Sequence, residues 1–157
     1  MNQLSIEKLN KISKKKKKGF TLVELVIVIA IIAILAAMAI PKLSSMRTNA
    51  KVSNDVAAAK NIATIASTLV ANGKLNASDS VDVSDNSDNA KAIRNQLDGK
   101  ISDSGKTEAT ATKFTVTVGS NDSITVTVGD NELYPDNSGA GRQGYSDVAA
   151  GKKTATP

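Results

Sequence analysis

Glu24 is the residue whose surroundings most clearly call for a chemical explanation. It is the one ionisable side chain between Phe20 and Ile40, a stretch of 21 residues. A charge within a membrane span costs at least ~2.5–3.5 kcal/mol near the bilayer centre and less near its end. The modest explanations are that Glu24 offsets the dipole of its own helix, worth ~0.3–1 kcal/mol, or that its carboxylate snorkels to the membrane interface.

Few other residues suit catalysis or ligand binding. The chain has no cysteine and no histidine, which removes disulfides, thiol chemistry, zinc fingers and the commonest general base. Aromatic residues make up 3% of the chain and there is no tryptophan, which argues against a stacking surface for single-stranded nucleic acid. We therefore expect no enzyme activity, cofactor, metal or specific nucleic-acid site.

Two patterns suggest a ligand but lack essential parts. Aspartates recur every third residue within 76–89, yet the glycine and the glutamate of a calcium loop are missing. These aspartates are Asp79, Asp82, Asp85 and Asp88. The segment 99–107 ends in Gly-Lys-Thr, but Lys100 occupies the position of the first glycine of a phosphate loop. We interpret 76–89 as a solvated loop and reject the phosphate loop.

The element that must position Glu24 is an apolar helix. Residues 20–40 have the length needed to cross ~30 Å of hydrocarbon, and β-branched residues do not prevent a helix there because lipid offers the backbone no other partner. By the positive-inside rule, the lysines before this helix keep the leader cytoplasmic and place the chain after Pro41 outside. The five orienting residues are Lys14, Lys15, Lys16, Lys17 and Lys18.

Three interpretations of this region compete. A secretory signal peptide would be cut after the apolar run, near Ala37-Met38-Ala39, but the run is long for that and contains a carboxylate. A signal anchor that is not processed leaves Glu24 unexplained. The third interpretation places the cut before the apolar run, at Gly19.

The order of the parts supports the third interpretation. Residues 18–25, KGFTLVEL, follow a basic leader and precede an apolar run that ends at Pro41. This stretch resembles the type IV prepilin signature at every position of the motif. The resemblance is firm over residues 14–45. The chain is similar to a pilin of the Gram-positive type without the C-terminal disulfide.

The resemblance implies a role for three residues. A prepilin peptidase would cut between Gly19 and Phe20, where glycine offers no side chain to obstruct the protease, and would methylate the new Phe20 amine. Glu24 would pair with the Phe20 amine of a neighbouring subunit, because an unpaired charge in an apolar bundle is costly. Other implied partners are an assembly platform with its ATPases and, before assembly, membrane lipid.

The chain after the apolar run predicts a second, amphipathic half-helix. Pro41 should kink the helix, since it removes a backbone donor; an ordinary helix stop is the alternative. Apolar residues then recur at spacings of three and four from Val52 to Val70, which predicts a helix from Lys42 to about Ala71 that ends at Asn72-Gly73.

The remaining residues predict a small head. Ser87 or Asp88 should cap a short helix that continues to Leu97 and is closed by Asp98-Gly99. Apolar and threonine residues alternate in 114–118 and 124–128 around a turn, which predicts an antiparallel hairpin over 114–128. Residues 107–112 give a weak strand signal. After Pro135 we expect a surface loop and a flexible tail, with Tyr145 and Val148 as anchors.

The charge distribution separates the leader from the rest of the chain. The formal charge is +5, which would suggest an anionic partner. Residues 1–19 contain seven of the 20 Lys and Arg and one of the 15 Asp and Glu, so removing them leaves 13 basic and 14 acidic side chains. The excess basicity therefore belongs to the leader.

These observations predict an α+β protein, a long N-terminal α-helix packed against a small antiparallel β-sheet, as in the pilin fold. Four regions are expected: a basic leader (1–19) that is removed, a transmembrane and polymerisation helix (20–41), its amphipathic continuation (42–72), and an extracellular head (73–157). The resemblance implies a structural function: the subunit of a type IV pilus, an extracellular filament used in adhesion, motility or DNA uptake. The alternative is a pseudopilin of a type II secretion or competence system.

Overall fold

A computed structural model describes residues 19–97 and 105–153. The chain divides between Pro41 and Lys42 into two compact units. The helices are α1 (Leu22–Ala71), α2 (Asp88–Gln96) and α3 (Ala140–Ala149), and the strands are β1 (Ser80–Asp82), β2 (Thr115–Val118), β3 (Ile124–Val128) and β4 (Asn131–Tyr134). The α+β class and the long N-terminal helix with a small antiparallel sheet are confirmed.

The first unit contains the apolar beginning of α1. Its large side chains are exposed all round, for example Leu25 at 61% and Ile32 at 57%, whereas a helix on a soluble core buries one apolar stripe. Among the described residues, α1 is the one helix that is long and apolar enough to cross a membrane. The helix continues through Pro41 without interruption, so the alternative of a helix stop is wrong, and the kink stays a prediction.

The second half of α1 supplies one side of the head core. The predicted apolar stripe is confirmed, since Val52, Ala59 and Ala66 are buried and recur every seven residues on one face of the helix. The helix ends where predicted: Gly73 adopts a φ of 67°, and its N–H bonds to the Val70 carbonyl at 2.9 Å. A left-handed glycine after the last turn satisfies carbonyls that the helix leaves without partners.

The strands form one antiparallel sheet in the order β1-β2-β3-β4. The predicted hairpin is confirmed, with Val116 opposite Val126 and Thr117 opposite Thr125. Alternation places valines on the buried face and threonines on the other, as a period of two requires. The valine face joins the α1 stripe and Phe114 in one hydrophobic cluster.

Three segments differ from their prediction. The loop expected at 76–89 contains β1, with Val81 and Val83 buried against the sheet. Residues 107–112 form a turn rather than a strand. The expected surface loop and flexible tail after Pro135 contain α3, on which Tyr145 is 1% exposed.

The start of α2 agrees with its prediction. The Ser87 side chain caps this helix, its hydroxyl accepting the Ala90 N–H at 3.2 Å. The predicted end of the helix at Asp98-Gly99 lies outside the described residues. The cap therefore confirms Ser87 rather than Asp88 as the residue that begins the helix.

Helix α3 packs closely against the backbone of β4. A Cβ added to Gly141 would overlap the Glu132 carbonyl oxygen and lie 2.7 Å from its carbon, whereas one added to Gly144 would meet the Asn131 side-chain oxygen. The Asp136 carboxylate accepts N–H groups of the first turn of α3, from Gly141 at 3.2 Å and Arg142 at 2.8 Å. Two glycines three residues apart therefore let the helix contact the edge strand.

Replacing Gly141 by alanine is expected to destabilise the head by about 3 kcal/mol, since overpacking costs roughly 1–3 kcal/mol and occasionally more and here the obstacle is backbone. Gly144→Ala is the matched control. It meets only a side chain that can rotate, and should change stability by less than ~1 kcal/mol. Urea unfolding of the full chain in detergent measures both. Equal stabilities of the two variants would show that the Glu132 backbone does not exclude a side chain at position 141.

Candidate functional site

The first turn of α1 is closed by a reciprocal pair of side chains, Thr21 and Glu24. The Thr21 N–H donates to Glu24 Oε2 at 2.7 Å, and the Thr21 hydroxyl donates to the same oxygen at 2.8 Å. In return, the Glu24 N–H donates to the Thr21 hydroxyl oxygen at 3.2 Å. This is a capping box, in which a threonine before the helix and a glutamate in its third position satisfy each other's backbone donors.

The capping box uses one carboxylate oxygen of Glu24. Both hydrogen bonds end on Oε2, and no described residue donates to Oε1. The carboxylate is also placed at the positive end of the helix dipole, which favours its charged form there. Glu24 therefore has a fixed position and an oxygen that can accept a second partner.

The bond between Gly19 and Phe20 lies just outside this turn. Both residues are in irregular backbone before the helix, and the Phe20 side chain is 93% exposed. No atom of the described residues lies within 4 Å of a Cβ added to Gly19. A protease needs an extended and accessible segment of backbone, and the Gly19–Phe20 bond is accessible to a protease.

Residues 14–40 match the prokaryotic N-terminal methylation motif. This methylation motif is the signal of type IV prepilin-like proteins, and it supports a pilin-like or pseudopilin precursor that is processed and methylated at its N-terminus. The match covers 14–40 of 157 residues. No curated protein and no solved structure matched the chain significantly.

The matched region contains the residues predicted for processing, assembly and orientation. Gly19, Phe20 and Glu24 all lie within it. Glu24 lies in the first turn of α1, and Gly19 and Phe20 lie just before this helix, whereas Pro41 lies farther along it. The basic part of the motif lies outside the described residues, so its orienting role stays a prediction. That part consists of Lys14, Lys15, Lys16, Lys17 and Lys18.

The structure adds Thr21 to the residues predicted from the sequence. Within the methylation motif, Thr21 and Glu24 are three residues apart and directly precede the apolar run. That spacing of threonine and glutamate is the sequence signature of a capping box. The signal was therefore present in the sequence.

A second polar site, inside the head, was not predicted. Asp55 is 2% exposed, and its carboxylate accepts three hydrogen bonds: from the Glu108 N–H at 2.7 Å, the Ala109 N–H at 2.9 Å and the Tyr145 hydroxyl at 2.7 Å. One side chain of α1 therefore holds both the 107–112 turn and α3. We call this cluster the Asp55 junction.

Neighbouring contacts extend the Asp55 junction along one turn of α1. Arg142 donates to the Ser53 hydroxyl at 3.2 Å, and Asn54 donates to the Glu108 carboxylate at 3.4 Å. Burial raises the pKa of Tyr145 far above its ordinary value, and the Asp55 carboxylate acts in the same direction. The phenol thus stays protonated and remains a hydrogen-bond donor.

The aspartates in and around β1 accept hydrogen bonds from residues two or three positions away. Asp79 accepts the Asn76 N–H at 2.7 Å, and Asp85 accepts the Ser87 N–H at 2.6 Å. Partial burial raises the pKa of Asp82, but hydrogen bonds from Ser84 and the ammonium of Lys113 outweigh it and keep the pKa below its usual value. Among the described residues, no group of three or more acidic side chains is arranged to hold a metal ion.

Proposed function

We propose that the chain is the structural subunit of a type IV pilus. A precursor would span the cytoplasmic membrane once, with its leader inside and its head outside, and would be cut between Gly19 and Phe20. The processed chains would then polymerise through α1 into an extracellular filament. The observation that carries this proposal is the capping box of Thr21 and Glu24, placed at the start of an exposed apolar helix and directly after an accessible Gly-Phe bond.

Processing would create the charge that Glu24 requires. Hydrolysis of the Gly19–Phe20 bond consumes one water molecule and leaves a carboxylate on Gly19 and an ammonium on Phe20. Transfer of one methyl group from a methyl donor to this nitrogen keeps it cationic, so methylation does not remove the pairing partner. A prepilin peptidase with methyltransferase activity is the enzyme that this sequence of steps implies.

Assembly would bury both the apolar surface and the ion pair. The side chains of Leu25, Ile32 and their neighbours are about half exposed or more, and such a surface must be covered by lipid in the precursor or by other copies in a filament. Glu24 Oε1, which no described residue occupies, can accept the Phe20 ammonium of an adjacent copy. The pair would set the axial register of the filament, because an unpaired charge in this environment is costly.

The intact mass of the protein sheared from the cell surface tests this proposal. We expect a chain that begins at Phe20 and carries one added methyl group, recovered as filaments visible by electron microscopy. A new terminus at Ile40 would contradict the proposal, since it would place the cut after the apolar run. A methylated chain with no surface filaments would favour the pseudopilin alternative.

Replacing Gly19 by valine is expected to block processing, because a branched side chain next to the scissile bond obstructs a protease that accepts glycine. The precursor should then accumulate in the membrane, which an immunoblot against the head detects by its larger mass. Ser5→Val, a change to the same residue far from the bond, is the control and should be processed normally. A cleaved product from Gly19→Val would count against the assigned cut.

A further inference from the structure

The helical segment directly after Pro41 combines an apolar strip with cations. Leu43 and Met46 are 51% and 59% exposed, and Ala50 completes a spacing of three and four residues that places all three on one face of α1. At 100° per residue, Lys42 lies on one side of this strip and Arg47 and Lys51 lie on the other. We call residues 42–51 the basic collar.

The basic collar carries no compensating charge. Its three cations are not buried, and the ion pairs among the described residues are Lys113–Asp82 and Lys152–Asp147. There is no Asp or Glu between Glu24 and Asp55 in the sequence. Lys and Arg near the end of a membrane span extend their long side chains to the lipid headgroups, while apolar residues beside them suit the hydrocarbon boundary. The side of the helix away from the strip contains Ser44, Ser45, Thr48 and Asn49.

We propose that the basic collar binds the phosphates of anionic lipid headgroups on the outer surface of the membrane. The inference rests on the proposed function, because it requires the precursor to span the membrane up to about Pro41. It concerns a different surface from the Glu24 site. The lipid contact would hold the precursor in the membrane at a defined depth until it is assembled.

The dimensions of the collar fit a headgroup layer. Five residues separate Lys42 from Arg47, which is about 8 Å along the helix, and the headgroup layer on one side of a bilayer is about 5–8 Å thick. Lys51 lies about 6 Å beyond Arg47 along the helix, which is within one Debye length of about 8–10 Å.

A second copy of the chain is the rival partner, and charge argues against it. Identical α1 helices packed side by side would place only cations next to the cations of the basic collar, because residues 25–54 contain no Asp or Glu. Like charges in contact repel, whereas phosphates supply the opposite charge. A Lys or Arg close to an anionic surface contributes about fivefold to the ratio of bound to free forms, so three cations together give about 100-fold.

Depth measurements on the full-length precursor in nanodiscs test the inference. The chain has no cysteine, so Asn49→Cys provides a unique position for a spin label on the polar side of the collar. In discs that contain one copy, adding phosphatidylglycerol to phosphatidylcholine should lower several-fold the accessibility of the label to a water-soluble quencher. High salt should reverse the change, because exposed charges are screened.

Charge-matched variants identify the residues responsible. The triple variant K42Q/R47Q/K51Q should lose the response to phosphatidylglycerol, whereas K60Q/K74Q/K91Q, which removes three exposed lysines beyond the collar, should keep it. Equal quenching in both lipids, or a normal response of the first variant, would overturn the inference. A response that appears only in discs with two copies would also overturn it, since the partner would then be another chain.

A second label separates this inference from the proposed function. A spin label at Ala33→Cys in the same discs should be accessible to oxygen and protected from the aqueous quencher. If that label is in water, the chain does not span the membrane and the proposed function fails. If it is in hydrocarbon and only the label at position 49 fails to respond, the proposed function stands and the lipid contact does not exist.

Discussion

Replacing Glu24 by alanine is expected to leave cleavage after Gly19 intact and to lower the yield of surface filaments at least about 100-fold, since removing one partner of a buried ion pair costs roughly 3–5 kcal/mol. Before assembly, the loss is small because the carboxylate is exposed and only caps the helix. Once the copies are packed, each Phe20 ammonium would remain buried without a counter-charge. Immunoblots of the sheared and membrane fractions measure the ratio of filament to processed subunit.

Two further variants separate the charge of Glu24 from its capping role. Glutamine in the third position of a helix can still complete a capping box, so Glu24→Gln keeps the cap and removes the charge. We expect it to fail in assembly as alanine does. Thr21→Ala keeps the charge, removes the hydroxyl and costs about 1 kcal/mol in helix stability, so its filaments should form. Normal filament yield from Glu24→Gln would show that assembly does not need the ion pair.

Replacing Asp55 by alanine is expected to lower the free energy of unfolding of the head by about 3–5 kcal/mol, because a buried donor left without a partner costs roughly 1–3 kcal/mol and two of the three donors here are part-buried. The Glu108 N–H, the Ala109 N–H and the Tyr145 hydroxyl would all lose their acceptor. Small domains are stable by only ~5–15 kcal/mol, so this loss is a large part of the total. Urea unfolding of the full chain in detergent, followed by tyrosine fluorescence, measures it.

Matched variants show whether the effect comes from the Asp55 junction. Tyr145→Phe removes one of the three donors and should cost about 1 kcal/mol, and its effect should be absent when Asp55 is already alanine. Asp130→Ala removes an equal charge from an exposed position and should change stability by less than ~0.5 kcal/mol. If Asp55→Ala were as stable as Asp130→Ala, the junction would have no structural role.

Local periodicity explains which elements could be predicted from the sequence. The stripe from Val52 to Val70 repeats for five turns, and the alternation in β2 and β3 is flanked by a turn rich in Gly, Asn and Asp. Both signals are long enough to identify an amphipathic helix and a hairpin without tertiary information. The apolar run was equally clear because composition alone defines it.

The elements that were missed depend on tertiary contacts. Strand β1 has three residues and lies in an acidic segment, so its pairing with β2 outweighs a composition typical of a loop. Helix α3 contains two glycines, Gly141 and Gly144, which lower helix propensity. Those glycines are favoured here because they let the helix approach β4, a requirement that the local sequence does not reveal.

The Glu24 site and the Asp55 junction also differ in how far apart their residues lie in the sequence. Gly19, Phe20 and Glu24 are close in sequence, so the motif brings them together, and Thr21 could have been added from its spacing to Glu24 alone. Asp55 lies in phase with the apolar stripe of α1, which marks it as a buried polar residue in need of partners. Those partners are 53, 54 and 90 residues away, and no local pattern identifies them.

The position of the Asp55 junction also determines how the head would carry a mechanical load. In a filament held together by α1, a pull on the filament enters each head through this helix. Ser53, Asn54 and Asp55, close to where the head begins, hold both α3 and the 107–112 turn. Their hydrogen bonds therefore bear the force together rather than one after another. Tension would therefore reach α3 through Ser53 and Asp55 as well as through its contact with β4.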